Sequence, residues 1–209
     1  MKELSPRALA KKKQIQLAAQ RLFLKNGFSN TSMDTVTKEA KVSKQTIYSY
    51  YESKESLLYD VFQNLISEID FEKEFQLTKR IEINNLNDLT AILEKIAERI
   101  SKSLIHPEYL GLVRIILAEM SHFPELGELF KEAVPKQIMG IITKILLHAN
   151  QKGIIEIDEN NMDIIVRMLI GPVLTYILLD GLLVPKDKVN AISSQKVSSI
   201  VHYFVNSIS

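Results

Sequence analysis

The run Ser43-Lys44-Gln45-Thr46-Ile47-Tyr48-Ser49-Tyr50 sets ammonium, amide and hydroxyl groups around a single aliphatic residue, Ile47. Read as a short helix, it presents Lys44, Gln45 and Thr46 in its first turn, with the donors and acceptors that base edges in the major groove of DNA require. Tyr48 and Tyr50 offer hydroxyls to phosphate. Lys54, just beyond, adds a positive charge together with the free amides of the next helix's first turn. On composition alone the same residues also describe a polar surface helix, so their meaning depends on the elements around them. Other chemistries find little support. The chain has no cysteine, which excludes disulfides, thiolate ligands and thiol nucleophiles. Its histidines, His106, His122, His148 and His202, lack the close pairing of a helical metal site. The glycines never cluster into a phosphate loop, and the carboxylates show no paired acid-base signature. No catalytic residue, metal or cofactor is therefore assigned, and an all-α enzyme assembled from distant residues is the third-ranked reading.

The elements that must position these residues are helices. Pro6 precedes a stripe of Ile15, Ala18, Ala19, Leu22 and Phe23, with Gly27 as its terminator. Thr31 and Ser32 offer caps for a short helix from about Met33 to Ala40, and Ser43 caps another from Lys44 to about Tyr50. Two short helices joined by such a turn form a helix-turn-helix. Ser53 begins a further helix, and the charged stretch 70–85 is less regular. Asn87 is expected to cap an amphipathic segment stopped by Pro107, which in turn opens the next helix. Pro124 and Pro135 bracket a short piece, and a helix from Lys136 to Lys152 closes at Gly153. Asp158 is expected to cap a long segment to Val184, with a bend at Pro172, and Val189 to Ile208 to form the last helix. No alternating pattern supports a sheet, so the fold class is all-α.

Net charge looks uninformative until it is divided. Residues 1–59 carry 11 Lys/Arg against 5 Asp/Glu, a balance of +6, and residues 60–209 carry 15 against 20, a balance of −5. One end is thus suited to a polyanion. The first residues show no apolar run after their charges, so no secretory signal is expected and a cytoplasmic protein is the default. Lys11, Lys12 and Lys13 read as a solvated helix end that raises local counterion release, with a phosphate contact by Arg7 or Lys11 as the alternative. The most apolar stretch, 164–184, is interrupted by Arg167 and Asp180, which leaves it short for a bilayer span and implies no membrane partner.

The stretch from Leu17 to Leu58 resembles the DNA-binding domain of TetR-family transcriptional regulators. The resemblance lies in Phe23-x-x-x-Gly27-Phe28, Thr31-Ser32-Met33, Glu39-Ala40, Val42-Ser43-Lys44, Thr46-Ile47-Tyr48, Tyr51 and Ser53-Lys54-Glu55 with Leu57. It implies a three-helix helix-turn-helix DNA-binding domain, residues 1–53, ahead of a larger helical effector-binding and dimerisation domain, residues 54–209. It further implies that Lys44, Gln45 and Thr46 face bases, and that Tyr48, Lys54 and the hydroxyls of Thr31 and Ser32 meet phosphates. Two positions depart from the family habit, since Lys41 and Gln45 both stand where glycine is frequent. Glutamine pairs bidentately with adenine, so altered sequence preference is expected at position 45.

For the larger part, Ala118-Glu119 and Phe123-Pro124-Glu125-Leu126 resemble one subgroup's C-terminal domain. The segment 162–184 is apolar nearly all round, and such a helix must be covered on most sides. With the last helix it could form half of a four-helix bundle across a two-fold axis, so a homodimer through helices at about 159–184 and 189–208 is expected. The pattern alone fits equally the central helix of a monomeric core. Tyr109, Met120, Phe123 and Tyr176 are the candidate contacts for a small, largely apolar effector, with His122 and Asp180 nearby; the same residue types also fill cores. The expected function is a homodimeric repressor released from its DNA operator by that effector. A carrier that has lost DNA binding is the rival reading, and the intact series from Ser43 to Lys54 argues against it.

Overall fold

The computed structural model describes residues 5–69 and 82–209, the side chains of 66–69 excepted. Helix α1 (Pro6–Asn26) starts where Ser5 Oγ accepts the Ala8 N–H at 3.3 Å and Pro6 has no donor to leave unpaired. Its stripe buries Ile15, Ala18, Ala19 and Phe23, and it ends at Gly27, whose φ of 80° suits a residue without Cβ. Helix α2 (Met33–Glu39) is capped by Ser32, which accepts the Thr35 N–H at 3.1 Å. Thr31 is not the cap; its hydroxyl donates to the Gly27 carbonyl at 2.8 Å. Helix α3 (Lys44–Tyr50) is capped in the same way, with Ser43 Oγ accepting the Thr46 N–H at 3.1 Å. Helix α4 (Lys54–Ile69) follows, with Ser53 Oγ on the Ser56 N–H.

The charged stretch falls largely outside the described residues. Helix α5 (Leu86–Leu104) is capped by Asn85 rather than Asn87, because Asn85 Oδ1 accepts the Asp88 N–H at 3.0 Å while Asp88 reaches back to the Asn84 N–H at 2.9 Å. Together these bonds fix the start of the helix at Leu86 and place Asn87 inside it. Helices α6 (Pro107–Glu119), α7 (Pro124–Ala133) and α8 (Pro135–Gln151) all begin at proline, and Gly153 with φ 69° follows α8.

Asp158 caps only a short 3₁₀ turn, Glu159–Asn161, after which α9 (Met162–Tyr176) runs through Pro172 and continues as a π turn, Ile177–Leu182. The hydrogen-bond pattern leaves the α-helical form at Ile177, not at Pro172. The last helix, α10 (Ser194–Asn206), is shorter than expected, since Ser193 caps it and Pro185 opens a separate 3₁₀ turn before it. The expectation that charges shorten the apolar segment also needs correction. Glu159–Leu182 forms 24 helical residues, apolar and long enough by composition to cross a bilayer, and Arg167 pairs within it to Asp163 at 2.8 Å. Only 33% of its most apolar window is buried within the chain.

No strand occurs among the described residues. The chain divides into two compact units, one of Met1–Glu68 with Gly111–Phe130, the other of Ile69–Leu110 with Lys131–Ser209. In the first, α1 packs on α2 and α2 on α3 around Phe23, Phe28, Val36, Ala40 and Ile47. Gly111 on α6 faces the tip of the Leu24 side chain on α1, which would have to shift to admit a Cβ there. In the second, α9 packs on α5, α8 and α10, and α10 packs on α5.

Candidate nucleic-acid interface

Helix α3 is held by very little apolar surface. Ile47 is its sole buried residue, and the remainder of its fixation is polar. Tyr51, the C-cap, donates its hydroxyl to Asp60 Oδ2 at 2.5 Å. The same carboxylate accepts from Gln16 Nε2 at 2.8 Å and Lys12 Nζ at 2.9 Å, so one acid on α4 ties α1 to the end of α3. Burial, reinforced by the Asp60 carboxylate, pushes the Tyr51 phenol far above its ordinary range. Lys13 adds a second tie from α1 to α4, donating to Asn64 at 3.0 Å. Tyr50 donates its hydroxyl to the Ala8 carbonyl at 3.2 Å. Between α2 and α3 the turn forces Lys41 to φ 49°, the one positive value at a non-glycine residue among those described.

At the N-terminal end of α3 lies an open groove of about 570 Å³, walled by residues 29–34 on one side and by Lys44, Tyr48 and Lys54 on the other. Lys54 donates to the Phe28 carbonyl at 2.8 Å and sits 4.2 Å above the Phe28 ring, a cation held by a dipole and a π face. Phe28 packs in turn on Phe23 and, edge-on, on Phe123, with ring centroids 5.5 and 6.2 Å away. Ser29, at the rim, donates to Glu119 at 3.0 Å. Lys44 Nζ lies 2.7 Å from Asp34 Oδ2, and that hydrogen bond and charge hold the lysine's pKa above its ordinary value. Two lysines, Tyr48 and the residues that open α2 thus line one concavity, an arrangement that suits a phosphate backbone.

The expected site residues divide by exposure. Lys44 and Gln45 are exposed and Tyr48 is half exposed. Thr46 is half-buried, with Oγ1 bonded to Ser43 Oγ at 2.8 Å. Ser32 lines the groove while capping α2, and Lys54 lines it too; Thr31 borders the groove but is buried, with its N–H on the Phe28 carbonyl and its hydroxyl on the Gly27 carbonyl. Of the basic trio, Lys11 bonds Gln14, whereas Lys12 and Lys13 point to α4. Asp34, Asp60 and Gln16 were not singled out as site residues by their spacing, because their partners lie on other helices. The only signal for Asp34 was its place in the first turn of α2.

The effector candidates are split. Tyr109 and Tyr176 belong to one compact unit, Met120 and Phe123 to the other. Tyr109 is buried, which raises its phenol pKa, and Tyr176 carries Lys196 Nζ 5.1 Å above its ring. Met120 is exposed, and Phe123 is committed to Phe28.

Residues 15–61 match the family pattern of bacterial regulatory proteins of the tetR family, and residues 91–205 match the AefR-like transcriptional repressor C-terminal domain. The chain is 27% identical to YhgD, an HTH-type transcriptional regulator of Bacillus subtilis (strain 168), over 124 residues covering 47% of this chain and 65% of that protein. The chain spans less than two thirds of the length of the curated relatives it matches. A TetR-family regulator from Mesorhizobium loti MAFF303099 superposes with a TM-score of 0.76 at 22% identity, covering 98% of this chain and 99% of that one. The flavonoid-responsive regulator FrrA superposes with a TM-score of 0.69 at 26% identity, covering 95% and 97%. With both its helix-turn-helix and its C-terminal domain matched, the chain belongs to the TetR family of bacterial transcriptional regulators.

Proposed function

We propose that this chain is a homodimeric repressor that leaves its operator when a small, largely apolar effector binds, with residues 1–53 reading DNA and residues 54–209 taking the effector and the second copy. The observation that carries the DNA-binding half is the groove at the start of α3, where Lys44, Tyr48 and Lys54 face the N-terminus of α2 at the basic end of the chain. Lys44 and Gln45 are the base readers. Thr46 serves mainly to close the α3 cap, and its γ-methyl is left for a thymine methyl. Ser32, Tyr48 and Lys54 hold phosphate, Thr31 is buried and shapes the turn ahead of α2 through its bonds to Phe28 and Gly27, and Tyr50 fixes α3 against Ala8. Selection of bound fragments from random DNA tests the reading directly. Tyr48→Ala and Lys54→Ala should weaken binding to every sequence about tenfold, with the salt slope lowered by about 1 for Lys54→Ala. Gln45→Ala should instead change preference at particular base pairs; uniform weakening would remove Gln45 from the base readers.

Support for the dimer comes from an apolar face left open on α9 and its π continuation, where Ile164, Met168, Leu178, Leu179 and Leu183 are exposed, together with Tyr203 on α10. An exposed stripe of this kind is the mark of a protein interface. Support for an apolar effector comes from the aromatic candidates Tyr109 and Tyr176 and from FrrA, a structural relative named for its response to flavonoids. Effector and operator would weaken each other reciprocally, because each favours a different spacing of the two α3 helices. Titration of the chain with flavonoid-like and acyl ligands, with and without selected DNA, should give equal shifts in the two affinities. Shifts caused only by small, highly charged metabolites would reject the apolar class.

A further inference from the structure

Two lysines face the groove, and they are held in different ways. Lys54 rests on neutral groups, the Phe28 carbonyl and ring, so its full charge remains available to a phosphate. Lys44 is partnered by the sole acid among the residues lining the groove, Asp34, at 2.7 Å. Both members of that pair are largely solvent-exposed, with 67% and 53% of their side-chain surfaces accessible. The pair joins the first turn of α2 to the first residue of α3, across the mouth through which a duplex must enter. It therefore removes one net charge from the approach to the groove and occupies the side chain assigned above to reading bases.

We propose that Asp34 is a specificity-determining residue, whose carboxylate occupies Lys44 until a duplex offers a better partner and so suppresses attachment to unmatched DNA. This rests on the DNA-binding reading above. At an unmatched sequence Lys44 exchanges a carboxylate for a phosphate and gains little, while Asp34 is left unpaired beside a polyanion. At a matched sequence, base-edge acceptors held by α3 provide the ammonium with directed bonds that offset both losses. An exposed ion pair is weak enough to be displaced in this way.

The test uses the full chain, a duplex of random sequence of about 30 base pairs and the fragments selected above. Asp34→Asn should bind the random duplex about 5- to 10-fold more tightly at about 50 mM salt, with the slope of log affinity against log salt steeper by about 0.9. The selected fragment should gain less, so that the ratio of the two affinities falls. In a Lys44→Met background, where only the repulsion of the unpaired carboxylate is relieved, the same substitution should gain clearly less than in the parent. Asp34→Ser, which keeps a short polar group in the first turn of α2, should reproduce the pattern. Unchanged affinity for random DNA, or an equal gain in both backgrounds, overturns the proposal and leaves general repulsion as the only role of Asp34. Failure of the wild-type chain to bind any duplex overturns the DNA-binding reading itself, and is seen before any variant is made.

Discussion

Helix α3 buries Ile47 alone and relies on a serine cap, the Tyr51–Asp60 bond and the turn through Lys41 to stay in place. Helix α9 with its π continuation buries Val166, Leu169, Ile170, Val173 and Ile177 and still leaves Ile164, Met168, Leu174, Leu178 and Leu179 open. One helix has too little apolar surface to hold itself and keeps its polar groups outward. The other has more apolar surface than its own chain covers. A helix's role is thus written in what its own chain leaves unsatisfied: hydrogen-bonding capacity on α3 suits a polar, charged partner, and uncovered apolar area on α9 suits an apolar surface.

The contrast is broken most forcefully at α9. Leu178→Asp with Leu179→Asp should raise the dimer dissociation constant by more than about a thousandfold, since central apolar contacts dominate interfaces. The monomer should keep its helical circular dichroism, because both side chains are already exposed. Sedimentation velocity decides the matter, and a variant that remains dimeric places the interface elsewhere.

On the other side, Ile47→Ala should cost about 3 kcal/mol in denaturant unfolding, the ordinary loss for a buried aliphatic truncation. DNA binding should fail before the fold does. A loss below about 1 kcal/mol would mean that the polar ties alone hold α3.

Tyr51→Phe removes one of those ties and should cost about 1.5 kcal/mol at neutral pH, as for a hydrogen bond to a carboxylate. The pH dependence has a definite sign. The folded-state pKa is raised above the ordinary value of 10.0, so the unfolded chain loses this proton first. Its stability contribution is complete below about pH 10 and is lost as pH rises above it. The variant should show a shallower alkaline decline than the parent, with Tyr109, also raised, supplying what remains. Parallel declines would remove Tyr51 from the alkaline transition.

The smallest change sharpens the comparison by relieving strain. Lys41 holds φ at 49°, a conformation that costs an ordinary L residue about 1 kcal/mol and glycine almost nothing. Lys41→Gly should raise stability by less than about 1 kcal/mol, partly offset by the freedom glycine gains when unfolded, and thermal melting should show it.

Much of the fold was legible because helix ends are local. Ser32, Ser43, Gly27, Pro107 and Gly153 act on groups within one turn of themselves, so the residue type at the position is most of the information. The reading failed where two local signals competed. Asn85 and Asn87 both suit a cap, and only the Asp88 N–H donated to Asn85 Oδ1 selects Asn85. Val189 continues the apolar pattern of the last helix, but the Ser193 cap starts it later. For the apolar segment, Arg167 looked like an interruption until its bond to Asp163 showed the charge paired within the helix.

The sequence by itself determined that the chain is helical, that a polar helix-turn-helix stands at its basic end, and that one later helix is apolar on almost every side. These follow from periodicity, capping and charge, each set by neighbours along the chain. Tertiary structure alone decided which charges are free. Lys12 finds Asp60 48 residues away, Gln16 finds the same carboxylate across 44, and Lys44 meets Asp34 over 10 residues and a turn. No spacing rule links such pairs, because the partners lie on different helices, α1 with α4 and α2 with α3, that only the packing of the folded chain brings together. Whether a lysine is a contact for DNA, a strut between helices or a partner for an acid is settled by that packing.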